Sequence, residues 1–182
     1  MTKSAFLRTV QSRTARVAIG ASTVRGRGNT GTVAAARAFL RSLPLQRFAL
    51  QNASKFAQAL DRTTNDLRAA LPRTARHWGL ARKILNIFLR DCLYTTYLAE
   101  AYQLQRAERL LELPLDCITA GQLRRAAGRG ALPRWPGVRH VTPDISARFQ
   151  AAAEKEARDR KIARIHLDAS WWSAGRDSDG AS

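Results

Sequence analysis

One lysine, two aspartates and a tryptophan occupy positions in this chain where they could do chemistry. Lys83 lies within the apolar segment 77–89, and apolar surroundings favour the neutral, nucleophilic form of an amine. Asp116 follows a proline and a leucine at the predicted start of a helix. Asp168 and Trp172 are four residues apart, so a helix would hold a carboxylate beside an indole ring. These residue types could supply a nucleophile, a group that stabilises positive charge, and a stacking surface.

Each of these residues also has a purely structural interpretation. Lys83 could pack its stem against apolar neighbours while its ammonium reaches water. Asp116 could be an ordinary N-cap, which is worth about 1 kcal/mol. Asp168 could be a helix cap, with Trp171 and Trp172 as a C-terminal aromatic anchor that closes the core. The two tryptophans face about 100° apart on a helix, so one can lie in the core while the other is functional. The residues alone leave both interpretations open.

The net charge predicts a polyanionic partner. The 182 residues carry 31 Lys and Arg against 14 Asp and Glu, a formal net charge of +17. Nucleic acid is the expected partner, and an anionic membrane surface is the competing one. Residues 1–60 contain basic residues and no acidic one, which predicts an electrostatic arm or face. An organelle transit peptide is the alternative explanation for that stretch.

Several classes of protein are excluded by what the sequence lacks. Cys92 and Cys117 both lie in apolar stretches, so we expect two buried thiols rather than a disulfide framework. The three histidines have no metal-site spacing, and we expect neither a metal nor an organic cofactor. No apolar run approaches the roughly 20 residues that cross a bilayer. The expected protein is therefore a cytoplasmic, nucleoid-associated monomer without a membrane partner.

The periodicity of apolar residues predicts an all-α fold, since no alternating strand pattern or Rossmann fingerprint occurs. Asp116 should cap one helix, and Thr142 with Pro143 should start another. The segment 74–104 is apolar around most of its circumference and should be the buried central helix. The predicted helices cover 33–43, 51–70, 74–104, 117–128, 144–161 and 163–172. Weak periodicity predicts a marginal helix at 5–19, and 105–112 is expected to continue or restart the helix before it. We expect a basic arm with a Gly-rich loop at 1–31, a single compact helical domain with a basic DNA-facing surface at 32–174, and a disordered tail at 175–182.

Three motifs, in this order, resemble those of a known enzyme family. ARKILNIFL at 81–89 resembles the helix that bears the catalytic lysine of archaeal 8-oxoguanine DNA glycosylases. LELPLDCITAG at 111–121 is similar to a helix start of the wider helix-hairpin-helix glycosylase superfamily. HLDASWWSAGR at 166–176 resembles the C-terminal segment of the archaeal group. The resemblance covers roughly residues 77–176.

The resemblance implies a base excision repair enzyme, a DNA glycosylase with lyase activity that removes an oxidised purine from damaged duplex DNA. Lys83 would attack C1′ and form a Schiff base, and β-elimination would then nick the strand. Asp116 would stabilise positive charge on the sugar and help to deprotonate the lysine. Asp168 and Trp172 would hold the flipped base. Lys83, Asp116 and Trp172 are then expected to converge in one cleft.

Arginines are dense in the sixteen residues from 124 to 139, and no acidic residue lies among them. Arginines behind a helix N-terminus suit contacts to DNA phosphates, although a solvated surface is the alternative. The same charge would serve a non-catalytic helical nucleic-acid-binding protein, or an interaction subunit that meets an acidic protein or lipid. The expected DNA-backbone contacts are Arg124, Arg125, Arg129, Arg134 and Arg139.

Overall fold

The described part of the chain is helical throughout. A computed structural model describes residues 2–24 and 31–171, and within these ranges no strand occurs, which confirms the predicted fold class. None of the helices in these ranges is both long and apolar enough for a bilayer crossing. The α-helices are α1 (Lys3–Ala18), α2 (Thr32–Arg41), α3 (Ala53–Ala70), α4 (Trp78–Tyr94), α5 (Thr96–Ala101), α6 (Cys117–Ala127) and α7 (Pro143–Asp159). Short 3₁₀ segments cover Leu45–Phe48, Arg73–Ala75, Leu104–Leu110, Val138–His140 and Arg164–His166.

Side-chain caps fix two helix starts that the sequence predicted to within two residues. Asn52 accepts a hydrogen bond from the Lys55 amide at 2.9 Å and so begins α3. Thr142 accepts from the Ile145 amide at 3.3 Å, with Pro143 in the first turn of α7. Each cap satisfies an amide that has no partner within the helix.

α4 is the central helix of the fold, as the sequence predicted. Leu80, Ile84, Leu85 and Phe88 are at most 1% exposed. α1, α2 and α3 contact α4, and so do α7 and the 3₁₀ segment Val138–His140. A helix surrounded in this way buries apolar residues around most of its circumference.

The prediction of one continuous helix over 74–104 is wrong, because the chain bends at Thr95. Thr95 is extended, with φ −91° and ψ 101°, so α4 ends at Tyr94. The Thr95 hydroxyl donates to the Asp91 carbonyl at 2.7 Å and occupies an acceptor at the end of α4. α5 starts again at Thr96, and the 3₁₀ segment Leu104–Leu110 follows it.

Buried apolar side chains form two clusters that meet along α4. The first, called here the N-terminal core, extends from α1 to Leu111 and includes Ile165. The second, called the C-terminal core, extends from Leu113 to Trp171. The chain passes from one core to the other at Glu112, and polar side chains of α4 reach partners on both sides of this junction.

α1 is part of the N-terminal core, where the sequence predicted a basic arm. Ala15 and Ile19 have no exposed surface. Gln11 Nε2 donates to the carbonyl oxygens of Leu40 and Leu43 at 2.9 and 2.8 Å. The predicted boundary at residue 31 therefore does not separate an arm from the packed fold. The predicted disordered tail at 175–182 lies outside the described residues.

Gly79 allows the segment 138–141 to lie directly on the first turn of α4. A Cβ atom at Gly79 would stand 2.3 Å from the Val138 carbonyl oxygen and 2.7 Å from Val141 Cβ. Only glycine avoids this overlap without a backbone shift. The contact brings 138–141 to within about one helical turn of Lys83.

Candidate active site

Lys83 and Asp116 face each other across the junction of the two cores. Lys83 Nζ lies 3.3 Å from Asp116 Oδ2, and the two side chains are 13% and 29% exposed. The other four lysines of the chain are exposed. Lys83 is thus the one lysine withdrawn from solvent, and its ammonium ends on a carboxylate instead of in bulk water.

The two oxygens of the Asp116 carboxylate have different partners. Oδ1 accepts hydrogen bonds from the Ile118 and Thr119 amides at 2.9 and 3.0 Å. The Thr119 hydroxyl accepts in turn from the Asp116 amide at 2.9 Å, which completes a capping box. Oδ2 remains free to face Lys83. One side chain therefore caps α6 and also pairs with the lysine, so the two interpretations of Asp116 are compatible.

Asp168 binds Arg90, not Lys83. Arg90 Nη1 donates to Asp168 Oδ2, while its Nε donates to Asp91 Oδ1 at 2.9 Å. The pKa of Asp168 is raised, chiefly because the carboxyl is buried. The nearby Asp116 charge also raises this pKa, while the Arg90 and Lys83 charges lower it. Asp168 therefore lies within electrostatic reach of Lys83 and Asp116, although its carboxylate is already engaged by a guanidinium.

The two adjacent tryptophans are only partly described. Trp172, the predicted stacking partner of a base, lies outside the described residues. Trp171 is 6% exposed in the C-terminal core, and the Arg160 guanidinium lies 5.7 Å from its ring centroid. Trp171 thus closes the core, as the structural interpretation expected. The convergence of Trp172 with Lys83 and Asp116 stays a prediction.

Arg82 anchors a buried polar network that the sequence analysis missed. Its guanidinium donates to Asp61 and, at 2.9 Å, to the Thr64 hydroxyl, and its Nε lies 3.1 Å from Glu112 Oε2. Arg82 also stacks over Trp78, 4.9 Å from the ring centroid. The network ties α3 to α4 and to the chain that joins the two cores.

A four-residue spacing along α4 could have revealed these polar residues. Arg82, Asn86 and Arg90 recur at intervals that place them on one face of an otherwise apolar helix. Asn86 Nδ2 donates to Glu112 Oε2 at 3.2 Å. Asn86 Oδ1 has no hydrogen-bond partner among the described residues, so one acceptor remains free at this face.

A small cavity lies beside Lys83, and Asn86 lines it. Leu115 and Val141 contribute to its walls, and its volume is about 10 Å³. That volume holds about one water molecule. Small-molecule sites usually occupy about 300–1,000 Å³. A nucleobase therefore does not fit beside Lys83 in this conformation.

The arginines predicted to bind phosphates lie far along α6 from Asp116. Arg124 and Arg125 belong to the last turn of α6, whose 11 residues span about 16 Å. These two and Arg129, Arg134 and Arg139 are all exposed. No carboxylate within the described ranges pairs with any of them. Arg124 and Arg125 therefore lie at the C-terminal end of α6 and not at its N-terminus.

Other aromatic and polar residues occupy structural positions. His166 Nδ1 lies 2.9 Å from the Tyr94 hydroxyl oxygen. Trp135 packs edge-on against Phe149, with centroids 5.3 Å apart. Of the two cysteines, Cys92 is buried as expected, but the prediction for Cys117 is wrong because that residue is exposed at the start of α6. Across 2–24 and 31–171, no cluster of three or more His, Cys, Asp or Glu side chains could hold a metal ion.

Two ion pairs thus reach from α4 to the C-terminal part of the chain, Lys83 with Asp116 and Arg90 with Asp168. Asp116 Oδ2 is placed to accept a proton from Lys83 Nζ, which would leave a neutral amine with a free lone pair. Compared with known proteins, the chain matches no family, no curated protein and no solved structure.

Proposed function

We propose that this protein is a DNA repair glycosylase with lyase activity and that Lys83 is its nucleophile. The observation that carries the proposal is the 3.3 Å approach of Lys83 Nζ to Asp116 Oδ2 in a site largely withdrawn from solvent. Schiff-base chemistry needs an amine beside a group that can take its proton. The motifs around Lys83, Asp116 and Asp168 indicate damaged duplex DNA as substrate, with an oxidised purine such as 8-oxoguanine as the excised base.

The proposed reaction begins with proton transfer from Lys83 Nζ to Asp116 Oδ2. The amine then attacks C1′ while the glycosidic bond breaks. The electron pair of that bond leaves with the base, which takes up the proton held by Asp116 Oδ2 and so restores the Asp116 carboxylate. Loss of a second amine proton and opening of the sugar ring give the Schiff base. β-Elimination then transfers a C2′ proton to a base, for which the restored Asp116 carboxylate is available. The C3′–O bond breaks, and the 3′ phosphate leaves with its electron pair, which nicks the strand. The Asp116 carboxylate stabilises positive charge on the sugar, and no step requires a metal or a cofactor.

In this proposal Asp168 and Trp172 hold the extruded base. Because Asp168 is bound to Arg90, the base must share or replace that ion pair. Because the cavity beside Lys83 measures about 10 Å³, the two cores must also part locally before a base can enter. Base binding is therefore coupled to opening of the junction.

The DNA-facing surface of this proposal is the set of five exposed arginines from Arg124 to Arg139. Their side chains have no carboxylate partner within the described ranges, so no ion pair has to break when phosphates bind. The net charge of +17 favours the same partner. We infer a protein that acts as a monomer on the nucleoid.

Borohydride trapping on a duplex containing 8-oxoguanine or an abasic site tests the proposal. Wild type should give a covalent protein–DNA adduct, and Lys83→Gln should give none. Lys55→Gln is the matched control, because Lys55 is an exposed lysine on α3 and its loss should leave trapping unchanged. Equal trapping by wild type and Lys83→Gln, or no trapping by wild type, contradicts the assignment.

A non-catalytic helical nucleic-acid-binding protein is the second candidate, and the small size of the cavity favours it. This candidate predicts strongly salt-dependent binding, no preference for a damaged base and no strand cleavage. Comparison of binding to intact and damaged duplexes of the same sequence separates the two. A preference for damage that survives in Lys83→Gln supports base recognition independently of the chemistry.

A further inference from the structure

One exposed face of α1 carries only arginines and small side chains. Their spacing of three and four residues aligns them along the helix. They form an open, shallow surface on this one helix. We refer to this set as the α1 stripe, which consists of Ala5, Arg8, Thr9, Ser12, Arg13 and Arg16.

The positive charge of the α1 stripe is not neutralised nearby in the sequence. Asp61 is the first acidic residue of the chain. Arg8, Arg13 and Arg16 are exposed, and no carboxylate in the described part of the protein pairs with them. Among the described residues, the one hydrogen bond that their side chains make runs from Arg8 Nη1 to the uncharged Ser4 hydroxyl, at 2.6 Å. The stripe therefore presents an uncompensated positive field.

Tertiary contacts hold α1 in a fixed position. Gln11 donates to two carbonyl groups at and just after the end of α2, at 2.9 and 2.8 Å. Arg37 Nη2 donates to the Arg16 carbonyl at 2.8 Å and ties α2 to the last turn of α1. Phe6 packs edge-on against Tyr97 of α5, with centroids 5.0 Å apart. The arginines thus project from an ordered scaffold, which lowers the entropy lost when they bind.

We propose that the α1 stripe is a second nucleic-acid contact and holds the sugar–phosphate backbone. The stripe from Arg8 to Arg16 spans about 12 Å of helix axis, which covers roughly three steps of a strand at 3.4 Å each. The guanidinium groups donate to phosphate oxygens, and the Thr9 and Ser12 hydroxyls can donate between them. Such contacts set affinity and position without reading sequence. The inference deepens the proposed function, yet it requires only a nucleic-acid partner and not a catalytic lysine.

The test compares two triple variants of the full chain that lose equal charge. Arg8→Gln/Arg13→Gln/Arg16→Gln removes the stripe. Arg148→Gln/Lys155→Gln/Arg158→Gln removes three exposed cations from α7, where acidic residues intersperse the basic ones. Fluorescence anisotropy with a short labelled duplex, over about 50–200 mM salt, gives the slope of log affinity against log salt. The stripe variant should lower that slope by about 2 to 3 and weaken binding by about 100-fold, since each phosphate contact contributes about 0.9.

The α7 control and further comparisons decide the outcome. The α7 variant should change the slope by less than about 1, and a lysine triple at positions 8, 13 and 16 should recover most of the slope because it keeps the charge. Equal losses in the stripe and α7 variants, or an unchanged slope in the stripe variant, overturn the inference. Loss of binding to anionic phospholipid vesicles with unchanged duplex affinity also overturns it, in favour of a membrane contact. The anisotropy slope requires no strand cleavage, so failure of the lyase proposal is read separately in the borohydride assay.

Discussion

Arg82 and Lys83 are neighbours on α4, yet their cationic groups lie in opposite settings. The Arg82 side chain is 9% exposed, and two carboxylates and a hydroxyl surround it. Lys83 is 13% exposed, pairs with one carboxylate and borders a cavity. Burial alone does not distinguish the two residues. The number of polar partners does. Arg82 lines the same cavity but is fixed by three polar side chains, whereas Lys83 has one polar partner and is the freer of the two for chemistry.

The largest expected effect is that of replacing Arg82. Arg82→Met leaves Glu112 and Thr64 without their cationic partner in a buried setting, so the free energy of unfolding should fall by about 3–5 kcal/mol. Lys83→Met is the matched variant at the next position. It should cost about 1 kcal/mol or less, because Asp116 keeps its two amide donors and is 29% exposed. If urea denaturation gives the two variants equal losses in the free energy of unfolding, the proposed difference between Arg82 and Lys83 is wrong.

Gly79→Ala tests whether the wall next to the cavity is rigid. The added Cβ would stand 2.3 Å from the Val138 carbonyl oxygen, so we expect a loss of about 1–3 kcal/mol in the free energy of unfolding. Gly121→Ala in α6 is the control, because its Cβ meets nothing within 4 Å. That change should stabilise the protein by up to about 1 kcal/mol through helix propensity. A neutral Gly79→Ala would show that segment 138–141 moves easily.

Substitutions at Asp116 separate its cap from its charge. Asp116→Ala removes the cap of α6 and should cost about 1 kcal/mol. Asp116→Asn keeps an acceptor at Oδ1 and should fold with nearly wild-type stability, because asparagine caps as well as aspartate. Both variants lose the acceptor for the Lys83 proton, so both should trap poorly in the borohydride assay. Normal trapping by Asp116→Asn would remove the carboxylate from the chemistry.

The smallest expected effect is a pH dependence from Asp168. Burial raises the pKa of Asp168 above its usual 3.8, so the folded protein binds this proton more tightly than the unfolded chain does. The resulting stabilisation is complete below the unfolded pKa and is lost as pH rises through the raised one. Asp168→Asn removes this contribution, and its stability relative to wild type should improve by roughly 1 kcal/mol or less as pH rises from about 4 to 7. A constant difference across that range would contradict the shift.

Local signals in the sequence predicted most of the helices and the Lys83–Asp116 pair, but not the break of the 74–104 helix at Thr95. The proline and aspartate before α6 predicted where that helix starts, and the apolar segment around Lys83 predicted a buried helix. The partners of Arg90 and Arg82 were beyond such reasoning, because Arg90 and Asp168 are 78 residues apart and Arg82 and Asp61 are 21 apart. Only the fold decides which carboxylate each guanidinium meets.

Two further differences between the predicted and the observed structure have local causes that the spacing of apolar residues does not reveal. The bend at Thr95 depends on one hydroxyl that bonds to the carbonyl of Asp91. α1 looked like an arm because residues 1–60 carry basic residues and no acidic one, yet small Ala15 and polar Gln11 are the residues that fit it against α2. Close packing of small side chains produces only a weak periodic signal.

The two oxygens of the Asp116 carboxylate link protonation at Oδ2, which faces Lys83, to the backbone amides of α6 that donate to Oδ1. A proton that arrives on Oδ2 withdraws electron density from Oδ1 and weakens it as an acceptor for two amides. In the proposed reaction, the first turn of α6 would therefore loosen when Lys83 gives up its proton and tighten when the proton returns. The amide resonances of Ile118 and Thr119 would thus act as built-in reporters of the charge on Lys83.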